Sequence, residues 1–102
     1  MMMNLLAVIL QQSAGIGSSC ACVVAGAGTS AVNGNYLAEN KFNENGQWYI
    51  GEVIGYEGDS YIIFPAGNGD HVYYYWPVSQ GFNPSTVSVG PYGTIPAPTI
   101  HS

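Results

Sequence analysis

Turn signals recur at short, regular intervals along the middle of the chain: Asn33-Gly34, Asn45-Gly46, Glu57-Gly58-Asp59 and Asn68-Gly69. Each is flanked by residues that favour extended backbone, which is the rhythm of an antiparallel meander. The strands implied between them are Cys22 to Ala27, Asn35 to Phe42, Gln47 to Tyr56, Ser60 to Ala66 and His71 to Val78. Fourteen glycines, six prolines and eight tyrosines reinforce this reading, because they supply turns and strands while helix formers are few. No segment shows a helical period. The expected fold is therefore all-β: a small antiparallel meander, sandwich or partial barrel of about five strands, with extended arms at both ends.

Three regions follow from the composition along the chain. Residues 1–21 hold the apolar run Leu5 to Leu10 and a Gly/Ser linker, residues 22–78 hold the β-domain, and residues 79–102 carry Pro84, Pro91, Pro96 and Pro98 among Gly, Ser and Thr. The six-residue run is far shorter than the ~20 residues of a transmembrane helix. It lacks the basic flank of an export signal, although Ala25-Gly26-Ala27 forms an A-x-A. An assembly arm or added strand is the expected role of Leu5 to Leu10, and the proline spacing predicts an extended C-terminal arm.

Charge excludes several partners. Lys41 is the only Lys or Arg, and six acids give a net charge of −5. Such a chain cannot neutralise a row of phosphates or dock on an anionic membrane, so neither nucleic acid nor membrane is expected as a partner. Charged residues make up 7% of the chain while 47% is hydrophobic, so the surface is almost uncharged. About a hundred residues give a thin core, and the surplus of apolar side chains points to burial against other chains.

The strand faces sharpen that expectation. Trp48, Ile50, Ile54 and Tyr56 share one side of their strand, opposite Tyr49, Gly51 and Val53. Tyr61-Ile62-Ile63-Phe64 runs without alternation, and Tyr73 and Tyr75 oppose Tyr74 and Trp76. Both faces of these strands are apolar, so something must cover the second. The expected assembly surface comprises Leu5, Leu6, Val8, Ile9 and Leu10 of the arm with Ile62, Phe64, Tyr74 and Trp76 of the domain. The rings of Trp48, Tyr49, Tyr73 and Tyr75 are the candidate platform for stacking a glycan, although Tyr and Trp are also enriched in cores and interfaces.

Catalytic chemistry finds little support. Cys20, Cys22, His71 and His101 match no usual zinc spacing, so no metal and no cofactor is expected. A disulfide within Cys20-Ala21-Cys22 would be strained; alternate strand positions would place both thiols on one face as small buried hydrophobes, and an interchain disulfide is the alternative. Asp70-His71 are adjacent on a presumed strand and would point to opposite faces, which does not suit a nucleophilic triad. Glu52, Glu57 and Asp59 are the only close carboxylates, and with Lys41 the lone cation most hydrolytic mechanisms lack a partner. Gly15-x-Gly17 and Gly26-x-Gly28 do not sit between a strand and a helix. The chain is not expected to be an enzyme.

A resemblance enters at Val23-Val24-Ala25-Gly26-Ala27-Gly28 followed by Ala31-Val32-Asn33-Gly34-Asn35-Tyr36. This pattern, continued by Asn45-Gly46-Gln47-Trp48-Tyr49 and Tyr73-Tyr74-Tyr75-Trp76, resembles a short β-rich module of phage and large-virus proteins over about residues 23–78. The leader resembles the openings of small tailed-phage virion proteins. The resemblance implies a virion structural protein, either a capsid decoration or cement protein or one placed on the tail or baseplate. Its partners would be itself and a major capsid or tail protein. It assigns no catalytic residue. The remaining alternative is an extracellular glycan-binding β-module.

Overall fold

The computed structural model describes residues 20–102, so the run Leu5, Leu6, Val8, Ile9 and Leu10 lies outside the described residues. Among the described residues, seven strands form two antiparallel sheets: β1 (Cys20–Ala25), β2 (Gly34–Leu37), β3 (Trp48–Ile54), β4 (Asp59–Pro65), β5 (Tyr74–Pro77), β6 (Ser88–Val89) and β7 (Thr99–His101). The smaller sheet has the order β2-β1-β7 and the larger the order β3-β4-β5-β6. No α-helix occurs among the described residues, only single 3-10 turns at Ser30–Val32 and Val78–Gln80. The fold is all-β, as the turn rhythm predicts.

One core is shared by the two sheets. Register places Cys22 beside Tyr36 and Val24 beside Ile100 in the small sheet. In the large sheet it aligns Ile50 with Ile63 and Tyr74, and Tyr61 with Trp76. All of these but Tyr61 are buried and form a single cluster with Ala27, Val32 and Trp48, against which Tyr61, Tyr73 and Val89 pack. Buried aromatics keep their polar atoms satisfied: Tyr36 donates to the Val32 carbonyl at 2.7 Å and Trp76 Nε1 donates to the Gly81 carbonyl at 2.7 Å. Tyr74 is wholly buried. Its hydroxyl donates to the Thr94 carbonyl at 2.6 Å and accepts from the Thr29 N–H at 3.0 Å. That one group ties the loop before β2 to the segment before β7.

The turn signals resolve into different devices. The β3–β4 hairpin closes through a four-residue loop, 55–58, between the paired Ile54 and Asp59, and Gly55, Glu57 and Gly58 in it all have positive φ. Asn45-Gly46 does not form a two-residue I′ turn, since only Gly46 has positive φ (76°). The Gly46 N–H donates to the Asn43 carbonyl, and Asn43 Oδ1 accepts from the N–H groups of Gln47 and Trp48, each at 3.0 Å. Asn33-Gly34 is no hairpin either. Asn33 Oδ1 accepts from the Ala27 N–H at 2.9 Å and its Nδ2 donates to the Ala27 carbonyl at 3.4 Å, so a side-chain amide closes the mouth of the loop. The strand expected over Asn35 to Phe42 breaks after Leu37, where Lys41 takes φ 66°. The last expected strand begins at Tyr74 rather than His71, because His71 donates its N–H to Asn68 in a turn.

Residues 79–102, expected as an extended arm, instead supply β6 and β7. β6 pairs with β5 through Tyr74–Val89, and β7 pairs with β1 through Val23–His101, Val24–Ile100 and Ala25–Thr99. Glycine makes this approach feasible: a Cβ on Gly93 would collide with the Tyr73 carbonyl, and one on Gly28 with the backbone of Ile95. The prolines therefore space a strand segment that closes the small sheet. The cysteines also depart from expectation. A register shift between Cys20 and Cys22 bulges β1, leaving Cys20 exposed and Cys22 fully buried, so the two thiols do not share a face.

Candidate functional site

The large sheet has a second face, turned away from the core. Cross-strand register puts Tyr49 beside Phe64, Gly51 beside Ile62 and Tyr75, and Val53 beside Ser60 on this side. Gly51 is necessary to the arrangement, because the Phe64 ring lies over it and a Cβ would stand 2.8 Å from Phe64 Cε1. Phe42, brought alongside β3 by its bridge to Tyr49, adds a further ring.

Aromatic contacts organise the face into two groups flanking Ile62. Phe42 and Tyr49 are tilted with centroids 4.8 Å apart, and Tyr49 meets Phe64 edge-to-face at 5.3 Å. Tyr56 meets Tyr75 edge-to-face at 5.1 Å. Ile62 at the centre is 2% exposed while the surrounding rings are half-buried. The second apolar face is thus covered in part by its own side chains. Tyr56 has its hydroxyl pKa raised, first by loss of solvation and then by the neighbouring Tyr75 and Glu57. Phe42, Tyr49, Val53, Ile62, Phe64 and Tyr75 carry no formal charge. Edge-to-face contacts of this kind fix ring orientation beyond what area burial alone would.

The expected site residues divide between the two faces. Ile62 and Phe64 lie on the outer face. Tyr74 and Trp76 do not: they fill the chain's own core at 0% and 1% exposure, because the parity of β5 turns them toward the small sheet. They are corrected from assembly residues to core residues. Of the four rings expected as a glycan platform, Tyr49 and Tyr75 share the outer face, whereas Trp48 is buried in the core cluster with Tyr73 edge-on to it at 4.8 Å. A single four-ring platform is therefore absent from the described residues. Phe42 and Tyr56, expected at the ends of strands with Tyr56 on the Trp48 side, lie outside the regular strands and reach the outer face through a bridge and a turn.

The groups with catalytic potential are not brought together. Asp70 Oδ1 is 3.8 Å from His71 Nε2 at an exposed turn, and the His71 ring stacks on Tyr92 with centroids 4.4 Å apart. Burial pushes the Cys22 thiol up to about 12, with the nearby Cys20 adding to the shift, so it is not poised as a nucleophile. Among the described residues no cluster of three His, Cys, Asp or Glu is placed to hold a metal ion. What the outer face offers is apolar area with a few phenolic hydroxyls.

No family model, curated protein or solved structure matches this chain.

Proposed function

We propose that this chain is a non-enzymatic structural protein of a virion, most simply a capsid decoration or cement protein of a tailed phage. It assembles with copies of itself and with a major capsid or tail protein through the outer face of its large sheet. The observation that carries this reading is that face: contiguous rings and aliphatics, uncharged, with Ile62 already dry at its centre. Interfaces concentrate aromatic residues and deplete charge at their centres, and a partner laid across Tyr49, Phe64 and Tyr75 would complete the exclusion of water. The low charge of the whole chain and the apolar run Leu5 to Leu10 support the same role. So does the resemblance to the phage module.

Placement on a tail or baseplate would use the same face. A glycan platform built on Tyr49 and Tyr75 is the weaker alternative, because the other two rings expected in it point into the core.

Mass spectrometry of purified particles with copy-number determination tests the virion reading, which expects the chain at high copy; its absence from the particle refutes it. Sedimentation of the full chain tests the face. Val53→Lys, which places a charge on the outer face beside Ser60, is expected to shift the chain toward smaller species with its circular dichroism unchanged. Unaltered association would exclude this face as the contact surface.

A further inference from the structure

We infer that the loop between β2 and β3 carries a binding site for a neutral saccharide, centred on Asn43. This site adjoins the outer face and shares Phe42 with it, and the inference does not rest on the assembly reading.

Asn43 is 6% exposed and lines two adjoining depressions that open to solvent. The larger, about 380 Å³, is bounded by Leu37, Asn40, Phe42, Asn43, Glu44 and Asn45. The smaller, about 260 Å³, lies across Asn43, Glu44 and Asn45 and is bounded also by Asn33 and Asn35. The orientation of the Asn43 amide is fixed chemically: two backbone N–H groups, of Gln47 and Trp48, converge on it, so Oδ1 must face them. Its main-chain N–H and carbonyl are engaged with Trp48 and Gly46. The polar group left is Nδ2, a donor with no protein acceptor among the described residues. A nine-tenths-buried donor without a protein partner takes its acceptor from solvent or from a ligand, and a ligand hydroxyl can replace that water.

Its neighbours Asn40 and Asn45 are exposed but turn their amide oxygens onto the backbone in the same way. Asn40 Oδ1 accepts from the Phe42 N–H and Asn45 Oδ1 accepts from the Gln47 N–H, each at 3.0 Å, so both also present Nδ2. Glu44 supplies carboxylate acceptors, one of them 3.5 Å from Asn35 Nδ2. Phe42, backed by Tyr49, supplies an aromatic wall.

Ligand class follows from this donor set. A cation is disfavoured, since the Asn40, Asn43 and Asn45 amide oxygens already accept backbone N–H groups and Glu44 is the one carboxylate lining the site. An anion is disfavoured by Glu44 and by the net charge of −5. A pyranose hydroxyl can accept from an asparagine Nδ2 and donate to Glu44 at once, while the ring's C–H face lies on Phe42. A neutral sugar thus matches the chemistry of the groups lining this loop.

The test is a titration of the ¹⁵N-labelled full chain followed by NMR, with maltotriose, cellotriose, triacetylchitotriose and lactose as probes, and with calcium chloride and inorganic phosphate as comparisons. The side-chain amide signals of Asn40, Asn43 and Asn45 are expected to shift saturably with at least one sugar at millimolar concentration, and with neither salt. Asn45→Asp keeps the acceptor for the Gln47 N–H while removing the donor; it should weaken that binding roughly tenfold without changing thermal stability. Silence of all three amides with every sugar at tens of millimolar overturns the inference. So does a response confined to Tyr49 and Tyr75, or saturable binding of calcium at the loop.

Discussion

Replacing Tyr74 by Phe removes one oxygen and no ring, so it isolates the junction between the two sheets. The hydroxyl serves two partners, donating to the Thr94 carbonyl and accepting from the Thr29 N–H. Leaving a buried polar group unsatisfied costs about 1–3 kcal/mol. Thr29 and Thr94 are not themselves deeply buried, so water can recover part of each loss, which places each near the lower limit. Two further bonds across the same junction remain, from Thr94 N–H to Thr29 Oγ1 and from Gly28 N–H to the Pro96 carbonyl, and they prevent the segments from parting. The expected destabilisation is about 2 kcal/mol, and in a domain of this size that lowers Tm by roughly 8–16 °C. Thermal unfolding followed by near-ultraviolet circular dichroism measures the shift. Hydrogen exchange adds a local readout, since the Thr29 amide should lose protection while amides in β3 and β4 keep theirs. A Tm unchanged within a degree or two, with Thr29 still protected, would show that the hydroxyl does not join the sheets.

Gly46 stands at φ 76° with open space where a Cβ would sit, so Gly46→Val tests backbone strain alone. It should cost about 1 kcal/mol or more, and an unaltered urea midpoint would contradict the turn geometry. The thiols should separate in labelling: Cys20, exposed, reacts in the native protein, and Cys22 reacts only on unfolding, so two fast equivalents would contradict the bulge in β1. Burial raises the Cys22 pKa from 9.0 to about 12, so above pH 9 the unfolded chain releases a proton that the folded chain keeps. The stability associated with Cys22 is therefore complete below pH 9 and falls as pH rises toward 12, and Cys22→Ala should flatten that decline in an alkaline denaturation series.

Much of the fold is legible where a residue type meets a local backbone demand. Glu57-Gly58 marks a hairpin because it falls in the four-residue loop where Gly55, Glu57 and Gly58 take positive φ, and the alternation of Tyr49, Gly51 and Val53 against Ile50 separates the faces of β3. Asn33 and Asn43 look like the first members of turn motifs, yet their amides pair with backbone several residues away, which no dipeptide pattern encodes. β6 and β7 span two and three residues, too short for any period to show, and proline-rich surroundings disguise them further. The outer face was partly visible through Ile62, Phe64, Tyr49 and Tyr75. Which parity of β5 faced inward depended on the small sheet lying opposite, so Tyr74 and Trp76 could not be told from surface residues. The Asn43 loop was missed because its chemistry lies in the amide hydrogens left after the oxygens are used.

The pairing of β7 with β1 has a consequence for how the molecule comes into being. β1 is the centre of its sheet, and one of its two edges stays empty until His101 has been added to a growing polypeptide. During synthesis the early strands can form local hairpins, but Val24 gains its neighbour Ile100 in the core only once β7 is made. Closing so long a loop is entropically slow compared with zipping neighbouring strands. A ribosome that stalls after Pro77 therefore releases a chain with an open strand edge and a wet core, the form most prone to join a second copy in the wrong way. Pairing of β7 with β1, rather than the making of any single hairpin, completes the small sheet.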